Sequence, residues 1–396
     1  MKISTNSITF LSILIAVVFF AGGCGDLTPR QIHLSTKSDA STSAVVTWVT
    51  TGDQDTATHK VKYGLAPGTY TEIAEGSSHP LPNEPQGFVH EVELTGLTPG
   101  TTYYYICGDD TGGYSPEARF STAPAAGQNF TFCVIGDMGT GAAASQNLSR
   151  MSAENPSFVL HAGDLSYANG LTFVWDTWFD LISSLASHVL YMPVIGNHEV
   201  EPSLGLSSYL GRFALPNNER WYSFDWGTTH VAALDTESPY TPGSEQLLWL
   251  QNDLAAASAD PNIEWIVVFF HKPPYSASPA HGSNLSVRSN ICPVLDTYGV
   301  DIVFNGHDHD YERSFPLNNT VVVDSHPNEY TNPGGTIYVV SGGGGAGLYG
   351  SGTDYWTAYS QSVFQHVKVD IEVSGTLHLQ SISKDGVVLD ECWVHK

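Results

Sequence analysis

Positive charge is scarce in this chain. Its 396 residues carry 15 Lys and Arg against 40 Asp and Glu, for a formal net charge of −25. Non-specific nucleic-acid binding needs a basic footprint, so that class is excluded. An anionic small molecule is not, because bound metal ions can invert the local sign of a site. Also lacking is an apolar run long enough to span a bilayer comfortably. The stretch from Ile8 to Phe20, behind Lys2, is too short for that and fits the central region of a signal peptide. Cysteine is sparse, at five residues. Cys24 ends the leader, and Cys107, Cys133, Cys292 and Cys392 remain, an even number that leaves disulfides and free thiols both open in an exported chain. No cysteine is placed as a metal ligand. The glycine-rich segment from Gly342 to Gly347 lacks the Gly-Lys-Ser/Thr ending of a P-loop and reads as a tight loop near the site.

What is present begins with that leader, residues 1–24. Ala21-Gly22-Gly23-Cys24 resembles the lipobox of bacterial lipoproteins, with Ala21 where leucine is usual. Cys24 is then either a lipid anchor or the end of a cleaved signal peptide. Both outcomes place the mature protein outside the cytoplasm: secreted, periplasmic or held to a membrane as a lipoprotein.

Residues 29–122 have an all-β texture. Ser43–Thr50, Lys60–Gly64, Phe88–Leu94 and Thr101–Ile106 alternate apolar and polar residues between turn signals, which suggests a sandwich. Leu94 to Tyr105 resembles the corner of a fibronectin type III domain, where a leucine precedes the turn and a tyrosine in the next strand closes it; Trp48 fits that family's core tryptophan. These aromatics read as core packing, with no catalytic cluster. Ala123 to Gln128 reads as a linker. From 129 to 396 strands alternate with helical stretches, which predicts an α/β domain, a layered sandwich closed by a C-terminal strand extension. Helices are expected over 142–154, 173–186, 244–257 and 286–298.

Five strand ends carry the chemistry. Phe130–Ile135 runs into Gly136-Asp137-Met138-Gly139. Phe158–His161 runs into Ala162-Gly163-Asp164-Leu165-Ser166-Tyr167. Val189–Ile195 ends in Gly196-Asn197-His198-Glu199, Trp265–Phe270 in His271-Lys272-Pro273, and Val300–Phe304 in Asn305-Gly306-His307-Asp308-His309. His307 and His309 stand two apart, so in extended backbone they face one side. That side is the crevice at the carboxyl ends of the strands, where open α/β sheets hold ligands. The glycines before Asp137, Asp164, Asn197 and His307 let the backbone turn sharply in a crowded place. Asp, Asn and Tyr oxygens with His nitrogens suit iron, zinc or manganese. Two such metals share an anionic bridge, which a carboxylate such as Asp164 can provide, and together they clamp an in-line displacement.

The order and spacing of these blocks, Gly-Asp-x-Gly, Gly-Asp-x-x-Tyr, Gly-Asn-His-Glu, Val-x-x-His and Gly-His-x-His, resemble the purple acid phosphatases among the calcineurin-like metallophosphoesterases. Tyr311-Glu312-Arg313 and the sandwich in front agree with the plant-type members. The resemblance implies an acid phosphatase with Fe(III) held by Asp137, Tyr167, His309 and a bridging Asp164, and a divalent metal (Zn, Fe or Mn) held by Asp164, Asn197, His271 and His307. It implies phosphate monoester hydrolysis by in-line attack of a metal-bound hydroxide. It gives His198 and His281 the role of hydrogen-bonding the phosphate, one of them protonating the leaving group. Asp310, Tyr311 and Glu312 support the last ligand turn, and Arg313 is expected to fix a carboxylate there. The sequence departs from the plant pattern at Ala280, where a histidine is usual, which puts the leaving-group acid in question. The expected partner is a small-molecule phosphate ester. Diesters, nucleotides or phytate are the alternative substrates, and a surface-binding protein with an inactive phosphoesterase scaffold is the alternative of another class. Nothing in the sequence selects an oligomeric state.

Overall fold

The strand Trp265–Phe269 is apolar at every position because both its faces are buried. Trp265, Val267 and Phe269 belong to the large core that also holds Phe132, Phe158 and Phe304. Ile266 and Val268 face the other way, into a second core with Leu247, Leu250 and Leu254 of the helix Glu245–Ala259. The computed structural model that shows this describes residues 26–125 and 127–396; the expected leader, with Cys24, lies outside the described residues. Among the described residues no helix is long and apolar enough to cross a membrane.

Two mixed sheets stack face to face, with helices outside them. Phe132 meets Phe304 edge-on at 6.2 Å between ring centroids, and Phe158 meets Phe224 at 5.5 Å, across the layer between the sheets. In one sheet Phe130–Ile135, Phe158–His161 and Leu190–Pro193 run parallel. In the other, Thr229–Ala233, Trp265–Phe269, Ile302–Asn305 and Ile337–Ser341 do the same. The C-terminal strands Gln365–Glu372, Thr376–Ser383 and Val388–His395 extend the first sheet beyond Phe130–Ile135.

The helices Ala142–Ala153, Thr172–Ala186 and Glu245–Ala259 form close to where the periodicity predicts them. The stretch 286–298, expected as one helix, is two: Leu285–Asn290 and Cys292–Tyr298. Pro293 explains the break, since it has no N–H for a continuing helix and suits the first turn of a new one. Cys107, Cys133, Cys292 and Cys392 are all free and buried, which removes the disulfide option.

The N-terminal sandwich closes around Trp48, Val92, Leu94, Tyr105 and Phe120. Its corner is made by the Tyr103 hydroxyl, which accepts the Thr98 N–H at 3.0 Å. The sequence suggests two units joined by a linker, but one sheet crosses the boundary. Arg30–Ser35 pairs with Ser43–Thr50 on one side and in parallel with Leu190–Pro193 on the other, Leu34 opposite Leu190. The strand that opens the sandwich is thus also a neighbour of the strand that leads to Asn197. Replacing Tyr103 by Phe is expected to cost about 1 kcal/mol, the worth of one such hydrogen bond, read from the midpoint of urea unfolding at unchanged slope.

Candidate metal centre

The parallel strands of both sheets end at one edge of the stack. Beyond them, Phe130–Ile135 delivers Asp137, Phe158–His161 delivers Asp164 and Tyr167, and Leu190–Pro193 delivers Asn197 and His198. From the facing sheet Trp265–Phe269 delivers His271, and Ile302–Asn305 delivers His307 and His309. The turns are zipped together by backbone bonds: Asp137 N–H to Gly163 O at 3.1 Å, Gly139 N–H to Leu165 O at 2.8 Å and Gly306 N–H to His271 O at 3.0 Å. Asp137, Asp164, Tyr167 and His307 all sit at left-handed backbone angles, with φ of 56°, 53°, 57° and 74°. Non-glycine residues rarely adopt that region, and where they do the strain is held by the surrounding structure. Glycine is required at two adjoining positions. A Cβ on Gly196 would stand 2.3 Å from Asp164 Oδ1, and one on Gly306 only 2.4 Å from Asp137 Oδ2.

Two groups of polar side chains result. In the first, the Tyr167 hydroxyl lies 3.2 Å from Asp137 Oδ1 and 2.9 Å from His309 Nε2, which is itself 3.4 Å from Asp137 Oδ1. In the second, His271 Nε2 lies 3.1 Å from Asn197 Oδ1, 3.3 Å from Asp164 Oδ2 and 3.1 Å from His307 Nδ1. The far nitrogens of two rings are tied down: His271 Nδ1–H donates to Ala162 O at 2.9 Å, and His309 Nδ1–H to Gly347 O at 2.7 Å. That fixes their tautomers and turns Nε2 of each into the site, the arrangement of metal-ligating histidines. All seven side chains predicted as ligands are in these two groups.

The electrostatics of this set call for positive charge. Burial pushes the His271 pKa down, yet the Asp164 carboxylate outweighs it and raises the pKa to about 10. Burial likewise pushes Asp164 up, but His271 and the His198 N–H hold it below the carboxylate range. Burial pushes Asp137 up, against the pull of His309 and His271. Burial, with His271 and His281 nearby, lowers His307 to about 2, so its imidazole is neutral at any working pH. Burial and the carboxylates of Asp137 and Asp164 raise the Tyr167 phenol far above its ordinary value, so a phenolate there needs a strong cation beside it. Hard oxygen and imidazole donors arranged this way fit a pair of metal ions.

The two outer histidines differ in setting. His198 is half-buried; its Nδ1–H donates to Asn169 Oδ1 at 2.7 Å, and Nε2 stands 3.9 Å from Asp164 Oδ2. His281 is exposed, its ring stacked on that of His307 at 4.1 Å. Asp308 places it, accepting the N–H groups of His281 and Gly282 at 3.0 Å each and the Ser276 hydroxyl at 2.6 Å. The roles of Asn169 and Asp308 have no signal in the sequence. Neither does Tyr349, whose ring stacks on His309 at 4.0 Å. Glu199 lies inside a recognised motif, but its work appears only in three dimensions. Fully buried, it accepts the N–H groups of Asp164, Leu165 and Gly196, each at 2.8 Å. Arg313 fixes a carboxylate, but that of Asp390 on the C-terminal strand, at 2.6 and 2.9 Å, and not one of the expected ligand turn.

Residues 29–122 match the family described as the purple acid phosphatase N-terminal domain, and residues 130–311 match the calcineurin-like phosphoesterases. Purple acid phosphatase 18 of Arabidopsis thaliana is 31% identical over 356 residues, covering 85% of this chain and 77% of that protein. The phosphoenolpyruvate phosphatase of Allium cepa is 29% identical over 384 residues, covering 89% and 78%. The structure of a purple acid phosphatase from yellow lupin (Lupinus luteus) seeds superposes with a TM-score of 0.83 at 26% identity, over 94% of this chain and 75% of that one.

Gly306→Ala tests the packing argument. The added methyl must displace the Asp137 carboxylate or the Ala162 carbonyl, 2.8 Å away. A shift of about 1 Å at Asp137 is expected to lower turnover of an aryl phosphate about 100-fold. By contrast Gly299→Ala, at φ 66° with open space around its Cβ, should cost about 1–2 kcal/mol of stability and leave turnover alone.

Proposed function

This chain belongs to the purple acid phosphatase family, and on that premise we propose that it is an exported acid phosphatase hydrolysing phosphate monoesters. The observation that carries the proposal is the convergence of Asp137, Asp164, Tyr167, Asn197, His271, His307 and His309 at one edge of the stacked sheets. Asp137, Tyr167 and His309 would hold Fe(III), and Asn197, His271 and His307 a divalent Zn, Fe or Mn ion, with Asp164 shared between them. When bound, the pair supplies positive charge at the phosphate and lowers the pKa of water, as two-metal sites do in an in-line displacement.

The chain's own residues do the rest. The hydrogen bond from His198 Nδ1–H to Asn169 Oδ1 turns Nε2 toward the opening beside Asp164, where the protonated ring would donate to a phosphate oxygen. His281 reaches the same opening from the far side, over the His307 ring. In the displacement a P–O bond forms to a water oxygen while the bond to the alcohol breaks. The alcohol departs with a proton from an imidazolium, His198 or His281. With Ala280 in place of the usual histidine, His281 is the one such group on its loop. A phosphomonoester substrate agrees with the onion relative, whose name gives phosphoenolpyruvate as what it acts on. Export rests on the leader pattern of residues 1–24, whether Cys24 is lipidated or simply cleaved from.

The visible spectrum and metal content of the as-isolated protein test this reading together. A broad band giving a pink to purple colour is expected, with about one iron and about one second metal per chain and hydrolysis of an aryl phosphate. Tyr167→Phe should abolish the colour with the fold intact; a purple variant removes Tyr167 from the ferric shell. His307→Ala should lose the second metal and nearly all turnover. A colourless parent that takes up no metal and hydrolyses nothing would turn the reading to the inactive scaffold.

A further inference from the structure

The N-terminal sandwich holds a second cluster of ligand-type side chains. Asp55 is in the loop between the strands Ser43–Thr50 and Lys60–Gly64, His59 directly precedes the latter, and His90 is on Phe88–Thr95. One nitrogen or carboxylate oxygen from each lies within 4.8 Å of the others. His59 Nδ1 and His90 Nδ1 are 3.0 Å apart, and Asp55 Oδ1 is 3.9 Å from His90 Nδ1. Zinc bonds of 2.0–2.1 Å put tetrahedral ligand atoms about 3.3 Å apart, and these distances bracket that value.

His90 and Asp55 are also held from behind, while His59 Nδ1 faces the Thr56 hydroxyl at 3.2 Å. The Thr50 hydroxyl meets His90 Nε2 at 2.9 Å, which leaves Nδ1 for a cation when Nε2 carries the proton. The His90 ring is fully buried and stacked on Trp48, 5.0 Å between centroids. Asp55 accepts the Thr56 N–H at 2.8 Å on one oxygen and the Ser78 hydroxyl on the other. Burial lowers the His90 pKa to about 4, so the ring is neutral and its lone pair available near pH 7. None of these residues has work in the phosphatase chemistry.

We propose that Asp55, His59 and His90 form a structural site for a divalent cation of the zinc class, separate from the phosphatase centre. Two imidazoles and one carboxylate suit zinc, with the exposed side of Asp55 leaving a fourth position to water. The ion would join the two sheets of the sandwich. His90 belongs to the sheet that runs on into the catalytic domain, and His59 leads into the facing sheet. Binding to the folded chain alone then raises its thermal midpoint.

The test compares zinc content of the full-length protein with that of His59→Ala and Asp55→Ala, each equilibrated with the same micromolar Zn²⁺ and desalted. Because the readout is the difference between chains, it does not depend on how the phosphatase centre is loaded. Each variant should hold about one zinc fewer than the parent and turn over an aryl phosphate at the parental rate. Equal zinc content in all three chains overturns the site. The imidazole NMR signals of the parent give the same test without substitution. Added Zn²⁺ must shift those of His59 and His90, and unmoved signals overturn the proposal.

Discussion

Burying acceptor atoms against one another is the constraint on which this structure turns. Asp164 Oδ2, Asn197 Oδ1 and His307 Nδ1 all crowd His271 Nε2, and the Asp137 carboxylate crowds Tyr167 and His309. Left to relax, such groups would turn toward water or toward donors, because a buried unpaired charge is costly. What stops them is the backbone. Left-handed turns at Asp137, Asp164, Tyr167 and His307 each cost about 1–3 kcal/mol, and the stacked sheets supply the burial that holds them. The carboxylate of Glu199 serves the same end, binding three backbone N–H groups beneath Asp164. Its pKa rises to about 8 by burial and by the Asp164 charge, an electrostatic conflict accepted in order to lock the turn.

The layered architecture follows from that demand. Parallel strands bring their carboxyl ends to one edge, and two sheets stacked with those edges together offer ligands from opposite sides. Oxygen donors come from the first sheet, through Asp137, Asp164, Tyr167 and Asn197. The imidazoles of His271, His307 and His309 all come from the second. The division means that the interface between the sheets, with Phe132 against Phe304 and Phe158 against Phe224, sets the spacing of the centre. Substitutions in that layer therefore act on the distance between these two sets of side chains as well as on stability.

The candidate ligands stood out in the sequence because each cluster follows an apolar run, and Asp137, Asp164, Asn197 and His307 come directly after a glycine, a pattern that survives without any three-dimensional information. The sandwich was legible for the same kind of reason, through strand alternation and the spacing of Trp48 and Tyr103. What escaped depends on contacts between residues far apart. The pairing of Leu34 with Leu190, which makes the sandwich continuous with the catalytic sheet, has no local signal. Neither does the hold of Asn169 on His198, nor the stacking of Tyr349 on His309. The split at Ile291 was readable in principle from Pro293, but the apolar periodicity across it masked the break.

Asp308 shows why the missing histidine at Ala280 does not dismantle the far wall of the site. The segment carrying His281 is held by its backbone, through the N–H groups of His281 and Gly282 on one carboxylate, and the side chain at 280 takes no part in this. That carboxylate stands between His307 and His309, so the loop is tied to the same turn that presents these two imidazoles. The position of the His281 ring over His307 then follows from the ligand turn itself. Loss of one imidazole changes which rings face the opening, while the geometry of the remaining one is set by Asp308, whose own place is fixed between His307 and His309.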